Sequence, residues 1–218
     1  MAAAEFVPAL LVVDMQHDFI DGSLAIPDAA SIVDTVNDLL TLPFVAKIAS
    51  KDWHPPEHIS FAKTHRKPEF SSITVYPPGD TEKERPHLQE LWPVHCVAST
   101  PGATFIESLN HEVFTGIVHK GDDAYADSYS AFHDCWKLRT TTLPQMLSGA
   151  SVTDLFIVGL AGDFCVKFTA KDAVDYGYKT WVIRDAVRSV SDSGKEWDEM
   201  VHKGIKIVDS EEVKRLVK

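Results

Sequence analysis

The chain has 218 residues, of which 44% are hydrophobic and 24% are charged, and its formal net charge is −11 at pH 7. This length and composition are typical of one soluble globular domain. The negative charge argues against a nucleic acid or an anionic membrane as partner, and no apolar run is long enough to cross a bilayer. The N-terminal stretch has no basic segment and is interrupted by Glu5 and Pro8, so we expect no secretory signal. Three cysteines without such a signal indicate free thiols in a reducing, cytoplasmic compartment.

Taken in chain order, short apolar runs that predict buried strands alternate with segments of helical periodicity. The predicted strands cover residues 9–13, 44–50, 113–119, 155–160, 179–184 and 205–208. The predicted helices cover residues 28–42, 104–109, 143–148, 164–177, 197–203 and 210–218, with Ser210 as the N-cap of the last helix. Such alternation is typical of right-handed βαβ units. We therefore expect a single α/β domain over residues 1–218, with a parallel sheet and helices on both faces.

Two stretches have little periodicity. Residues from about 55 to 100 are rich in proline, histidine and charge, and residues 122–138 are polar and aromatic. Long segments of this kind within a compact domain are usually functional or disordered. We expect the first to be a long insertion that covers a site, and the second to be a shorter loop with the same role.

Reactive side chains follow four of the predicted strands. Asp14 follows the first strand, Asp52 and His54 follow the second, Lys120 follows the third, and Cys165 follows the fourth. Open parallel sheets bind ligands at the carboxyl ends of their strands. Packing alone does not explain four reactive strand ends in a row, so we expect these side chains to form a site.

Cys165 lies where small residues end a strand and a helix begins, and the unpaired N–H groups and helix dipole at such a place favour thiolate over thiol. Most free cysteines are nevertheless simply small buried apolar residues. Asp14 could accept the thiol proton, and the Lys120 ammonium could stabilise the thiolate and orient the carboxylate. Taken singly, Asp14 is more often a turn residue and Lys120 a solvated charge. Only their joint placement with Cys165 favours a catalytic reading.

A second set, Asp52, His54 and His95, has the chemistry of a metal site. Asp52 and His54 are two residues apart in an extended segment, so their side chains project to the same side, and the two prolines that follow prevent a helix. One carboxylate and two imidazoles suit Zn²⁺ or another divalent metal such as Fe²⁺ or Mn²⁺. We interpret most of the other histidines as surface or structural residues: His17, His58, His65, His87, His111, His119, His133 and His202.

Several motifs resemble those of one enzyme family. VVDMQHDF, KDWHPPEHISFAKTH, LWPVHC, HKG, YSAFHD and GLAGDFCVKFTAKDAVDYGYKT are similar, in this order, to segments of the nicotinamidase and pyrazinamidase family of isochorismatase-like cysteine hydrolases. The resemblance extends from about residue 9 to residue 209. It implies a six-stranded parallel sheet in an α/β/α sandwich and hydrolysis of nicotinamide to nicotinate and ammonia in NAD salvage, with pyrazinamide as a further substrate.

The resemblance also assigns roles to residues. It implies a catalytic triad of Asp14, Lys120 and Cys165, and a metal site of Asp52, His54 and His95 that usually holds zinc and ligates the pyridine nitrogen. It implies an oxyanion hole formed by the N–H groups of Ala161 and Cys165, after a cis peptide bond between Leu160 and Ala161. Phe19, Trp92 and Tyr129 match positions that pack against the substrate ring.

Two alternatives remain open on the sequence. The chain could be an amidase of the same fold with another small substrate, or a catalytically inactive protein that binds zinc or a partner. A homo-oligomer is compatible with either. One departure from the family is the pair Gly162 and Asp163, where relatives often carry bulkier or different residues, and it leaves the rigidity of the turn before Cys165 open.

Overall fold

The computed structural model describes residues 5–191 and 193–218. Residues 1–4 and 192 of the predicted domain, and with them the start of the N-terminal stretch, lie outside the described residues. The strands are β1 Pro8–Val13, β2 Ala46–Asp52, β3 Ser72–Val75, β4 His87–Glu90, β5 Gly116–Lys120, β6 Asp154–Leu160, β7 Lys179–Arg188 and β8 Lys206–Val208. The helices are α1 His17–Ile20, α2 Val33–Leu40, α3 Ala62–His65, α4 Leu143–Gly149, α5 Lys167–Asp175, α6 Lys195–His202 and α7 Ser210–Leu216.

Six strands form one parallel sheet in the order β5-β2-β1-β6-β7-β8. Every residue of β1 is buried, which is the burial expected of a central parallel strand. Leu10 and Val12 of β1 belong to the core cluster that includes residues of α2 and α7. Leu11 and Val13 belong to the cluster that includes residues of α4, α5 and α6. Because successive side chains of a strand point to opposite faces, this division confirms the predicted sheet with helices on both sides.

The segment that was expected to be an insertion contains structure of its own. Within residues 55–100, β3 and β4 pair as a two-stranded antiparallel ribbon, and α3 precedes them. The sequence did not predict this ribbon, because strands of four residues are too short to show a periodic pattern. Within the described ranges, no helix is long and apolar enough to cross a membrane.

The helix predicted over residues 104–109 was wrong. A short 3₁₀ turn, Pro101–Ala103, precedes this segment, Phe105 forms an antiparallel bridge with Gln16, and the N–H of Ile106 donates to Met15 O. Ile106 and Leu109 are buried in the core, and the backbone between them forms a turn in which the N–H of Leu109 donates to Ile106 O. The bridge to the segment after β1 therefore takes the hydrogen bonds that a helix would have used.

The N-cap predicted for the last helix was also wrong. Asp209 is the N-cap, and its Oδ1 accepts a hydrogen bond of 2.8 Å from the N–H of Glu212. Ser210 is the first helical residue, and its hydroxyl donates to Asp185, close to the end of β7. A partner that is distant in sequence thus determines which of two adjacent polar residues caps α7.

The path from β6 toward Cys165 requires a glycine. Gly159 has a φ of +111°, and a Cβ at this position would overlap the carbonyl oxygen of Val13 in β1. The pairing of β6 with β7 also shifts in register between Ile157 and Gly159. The neighbouring strands can therefore approach only because residue 159 has no side chain.

We predict that Gly159→Ala lowers the free energy of unfolding by about 3 kcal/mol, because it combines a strained φ with overpacking against β1. Urea denaturation followed by circular dichroism measures this change. The matched control is Gly149→Ala at the end of α4, where an added Cβ meets no atom within 4 Å. Equal stabilities of the two variants would contradict the prediction.

Candidate active site

The four reactive strand ends lie side by side at the carboxyl edge of the sheet. Asp14 follows β1, Asp52 is the last residue of β2, and Lys120 is the last residue of β5. Cys165 lies after β6, in a π-helical turn, Gly162–Val166, that leads into α5. Because β5, β2, β1 and β6 are consecutive in the sheet, the structure brings these residues together as their placement in the sequence predicted.

Lys120 occupies the centre of this group and is 1% exposed. Its ammonium lies 2.9 Å from Asp14 Oδ2 and 3.3 Å from Cys165 Sγ, and it donates hydrogen bonds to Asp52 Oδ1 and to the carbonyl oxygen of Ser128. Burial disfavours the charge of Lys120, but Asp14 and Asp52 outweigh burial and raise its pKa well above the ordinary value. A lysine in this environment stays protonated and links the predicted triad to the predicted metal site.

The two oxygens of Asp14 have different partners, a hydroxyl for one and the Lys120 ammonium for the other. Its Oδ1 accepts a hydrogen bond of 2.7 Å from the hydroxyl of Ser50. Its Oδ2 is close to Lys120 but outside hydrogen-bond geometry, so it has no hydrogen-bond donor within the described residues. Burial raises the pKa of Asp14 against the effect of Lys120, which makes the carboxylate a stronger base. One carboxylate oxygen of Asp14 lies within 4.8 Å of the sulfur of Cys165.

The expected preference of Cys165 for the thiolate was wrong for this state of the site. Burial raises the pKa of the Cys165 thiol well above its ordinary value; Lys120 opposes this effect, and Asp14 and Asp52 add to it. The side chain lies beneath the surface, and this burial is the largest of the effects on its pKa. The geometry therefore favours a thiol paired with a carboxylate base at rest.

The three residues of the predicted metal site also lie together. The Nε2 atoms of His54 and His95 are 3.4 Å and 3.8 Å from Asp52 Oδ2. His54 Nδ1 is 2.8 Å from the carbonyl oxygen of Gly121, and His95 Nδ1 is 2.7 Å from that of Pro93. A carbonyl oxygen only accepts hydrogen bonds, so each Nδ1 carries a proton and each Nε2 faces the carboxylate.

This donor set fits a divalent cation. Burial disfavours a protonated His54, yet Asp52 outweighs burial and raises the pKa of His54, so the field at its Nε2 favours a positive charge. The side chain of Gln16 holds both the N–H and the carbonyl oxygen of Asp52, each at 2.8 Å. Hydrogen bonds of this kind, to the imidazole Nδ1 atoms and to the backbone of Asp52, are typical of the contacts that orient metal ligands.

A cavity of about 430 Å³, including its mouth, lies over these groups. The predicted ring-packing residues Phe19, Trp92 and Tyr129 line it, and so do Ala161 and Cys165. Trp92 Nε1 donates a hydrogen bond of 3.0 Å to the hydroxyl of Tyr129, which fixes both rings. The peptide bond between Leu160 and Ala161 is cis, as the resemblance implied.

Sequence reasoning missed several residues of the cavity wall: Leu24, Ile26, Ser60, Asp127, Phe164 and Val190. It also interpreted His58 as structural. His58 is fully buried and stacks on His54 at 4.0 Å, and its Nε2 has no hydrogen-bond partner within the part of the chain that is described. Burial and the neighbouring His54 lower the pKa of His58 to about 3. The sequence signal for a place beside His54 was the position of His58, four residues after His54 in the same proline-containing turn.

Comparison with known proteins agrees with this geometry. The isochorismatase domain model matches residues 8–212. The nicotinamidase of Saccharomyces cerevisiae is 37% identical in an alignment of 215 residues that covers 92% of this chain and 98% of that protein. A structure of the Acinetobacter baumanii nicotinamidase and pyrazinamidase has a TM-score of 0.87 and 36% identity, over 97% of this chain and 100% of that one.

The pyrazinamidase of Pyrococcus horikoshii in complex with zinc has a TM-score of 0.73 and 31% identity, over 93% of this chain and 99% of that one. The model and these similarities extend over nearly the whole chain and include all the strand ends described above. The chain therefore belongs to the isochorismatase-like hydrolases and, within them, to the nicotinamidase family.

Proposed function

We propose that this protein is a metal-assisted cysteine amidohydrolase that converts nicotinamide to nicotinate and ammonia in NAD salvage, and that it also hydrolyses pyrazinamide. One observation carries the proposal. The Lys120 ammonium contacts Asp14, Cys165 and Asp52 at once, beneath a cavity lined by aromatic side chains. Lys120 thus holds the proposed nucleophile, Cys165, at a fixed distance from Asp52 of the proposed metal site. Hydrolysis of a carboxamide on a small ring requires such a fixed distance between the nucleophile and the group that binds the ring.

In the proposed reaction, Asp14 takes the thiol proton while the Cys165 sulfur attacks the carboxamide carbon. The resulting oxyanion accepts hydrogen bonds from the N–H groups of Ala161 and Cys165. As the C–N bond breaks, Asp14 returns its proton to the leaving ammonia, and a thioester remains on Cys165. Water then hydrolyses the thioester, which releases nicotinate and restores the thiol. The raised pKa of Asp14 supports its role in both transfers.

Lys120 has two proposed roles. It stabilises the thiolate as it forms, at 3.3 Å from the sulfur, and it holds the carboxylates of Asp14 and Asp52 in their orientations. A buried ammonium is costly unless it is paired, and here three of its four partners, Asp14, Asp52 and Cys165, belong to the proposed site. Charge, and not packing, therefore explains a lysine at this position.

Asp52, His54 and His95 would hold the metal, for which we propose Zn²⁺, with Fe²⁺ or Mn²⁺ as substitutes. Their two lone-pair nitrogens and one carboxylate oxygen suit such an ion, and the zinc complex of the Pyrococcus horikoshii relative supports this choice. When bound, the ion supplies a Lewis acid that anchors the ring nitrogen of the substrate. Phe19, Trp92 and Tyr129 would pack against that ring.

We further propose that residues 1–218 form one domain, in which the segment from about 55 to 100 covers the site, because Trp92 and His95 come from that segment. The cytoplasmic location, the absence of nucleic-acid and membrane partners and a homo-oligomeric state are proposals as well. The first two are supported by the free cysteines and the net charge of −11.

Ammonia release from nicotinamide, pyrazinamide and benzamide tests the function. Benzamide has the same size but lacks the ring nitrogen that would bind the metal. We expect kcat/KM for nicotinamide to exceed that for benzamide by about a hundredfold or more, because anchoring and orientation are lost. Equal activity on both amides would favour an amidase with another small substrate, and no ammonia from any amide would favour a protein without catalytic activity.

We predict that Cys165→Ala abolishes turnover and leaves nicotinamide binding intact, because the thiol forms the covalent bond and the ring contacts remain. Ammonia release and ligand binding are measured on one preparation. Cys135→Ala and Cys96→Ala are the controls, because neither sulfur lines the cavity, and both should keep full activity. Turnover of Cys165→Ala within about tenfold of the parent would refute the assignment.

Two variants should shift the apparent pKa of the Cys165 thiol in opposite directions. Asp14→Asn removes a negative charge and should lower the apparent pKa of Cys165, whereas Lys120→Met removes a positive charge and should raise it. Both should lose turnover. The rate at which iodoacetamide alkylates Cys165 is measured as a function of pH in chelator-treated protein. Its midpoint is the apparent pKa of the coupled groups and not of the thiol alone. Shifts in the same direction, or no shift, would show that these charges do not control the thiol.

Removal of the metal should raise KM or abolish activity while the far-ultraviolet circular dichroism stays unchanged, because the ion anchors the ring and the sheet does not depend on it. Added Zn²⁺ should restore activity to chelated protein. His54→Ala should behave like chelated protein and not respond to zinc, while the exposed control His111→Ala should behave like the parent. Unfolding on chelation would instead make the site structural.

A further inference from the structure

The turn that carries Cys165 is tied to the loop after β7 by one carboxylate. Asp163 accepts hydrogen bonds from the N–H of Val190 at 2.9 Å, the N–H of Ser191 at 3.0 Å and the hydroxyl of Ser191 at 3.1 Å. Hydrogen bonds to an ionised acceptor are stronger than neutral ones. This cluster therefore joins two segments whose residues are more than twenty positions apart in the sequence.

The same loop is held from two further sides. The loop packs closely on the turn at Gly162, where a Cβ would overlap the hydroxyl of Ser189 and lie 2.9 Å from Cγ1 of Val187 in β7. The Ser189 hydroxyl in turn donates a hydrogen bond of 2.7 Å to Glu196, which is 3% exposed in the first turn of α6. The loop is thus fixed between the turn and α6.

Both joined segments contribute to the cavity. The loop contributes Val190, and the turn contributes Phe164 and Cys165. Phe164 also meets the Trp92 ring edge-on, with the ring centroids 4.9 Å apart. Asp163 itself does not line the cavity. Its hydrogen bonds nevertheless set how closely the wall at Val190 faces the sulfur.

We propose that Asp163 is a positioning residue for the nucleophile: its carboxylate holds the loop at Val190 and Ser191 against the Cys165 turn, and this keeps the cavity closed around the thiol. The proposal rests on the proposed function, and it extends that function to a residue outside the cavity. It also answers the question that the sequence left open, because the turn at Gly162 and Asp163 owes its rigidity to a distant loop.

A simpler role for Asp163 is to stabilise the start of a helix, as an acidic residue of the first turn. Asp209→Asn is the matched control for this role. Asp209 lies at the start of α7, where it accepts the backbone N–H of Glu212 at 2.8 Å, and it does not line the cavity. Both Asp163→Asn and Asp209→Asn should lower the melting temperature.

The test compares three quantities in the metal-loaded parent, Asp163→Asn and Asp209→Asn: the melting temperature, kcat and KM for nicotinamide, and the rate of iodoacetamide alkylation at the Cys165 peptide. We expect Asp163→Asn to lose about tenfold to a hundredfold in kcat/KM, through lower kcat and higher KM, because the nucleophile and the wall are displaced. Its Cys165 should be alkylated several times faster, because the loosened loop exposes the thiol. Asp209→Asn should match the parent in both.

The proposal is overturned if, in folded Asp163→Asn, either kcat/KM or the alkylation rate stays within about twofold of the parent. Should that variant fail to fold, Ser191→Ala decides, because it removes one of the three hydrogen bonds and should change both quantities about threefold in the same directions. No change in Ser191→Ala would then overturn the proposal. A parent protein that released no ammonia would refute the proposed function, whereas the alkylation rates would still decide the role of Asp163.

Discussion

The buried ammonium of Lys120 is the interaction on which the rest of the site depends. It lies among the carboxylates of Asp14 and Asp52 and the sulfur of Cys165, and none of the four side chains is exposed by more than a few per cent. Removing the ammonium would leave two carboxylates uncompensated in a medium of low polarity. One positive charge therefore holds the two carboxylates and the thiol in place, and β5 positions that charge because Lys120 is its last residue.

The sheet explains how residues from four distant parts of the chain reach one point. Parallel strands place all their carboxyl ends at one edge, and the order β5-β2-β1-β6 makes the four reactive ends neighbours. Loops above this edge then add the cavity walls. The carbonyl oxygens of Gly121 and Pro93 and the side chain of Gln16 orient the proposed metal ligands through hydrogen bonds. The strands provide the position of each group, and the loops provide its surroundings.

This division also explains which features the sequence could predict. Apolar runs predicted the six sheet strands, most clearly β1 and β6, because their burial on both faces leaves a local pattern. Three other features depend on partners distant in sequence: the four-residue strands of the ribbon, the choice of Asp209 over Ser210 as a cap, and the non-helical path at Ile106. The raised pKa of Cys165 was missed for the same reason, because helix position and Lys120 could be inferred but the depth of burial could not.

The central claim is that Cys165 forms a covalent thioester with the acyl group of the substrate, beside Asp14 and Lys120. Turnover of nicotinamide in increasing concentrations of hydroxylamine tests it most directly, because hydroxylamine competes with water for a thioester. The account predicts that nicotinohydroxamate rises at the expense of nicotinate, while each acyl product still accompanies one ammonia. Formation of nicotinate alone at every concentration of hydroxylamine would show direct attack by water and contradict the account.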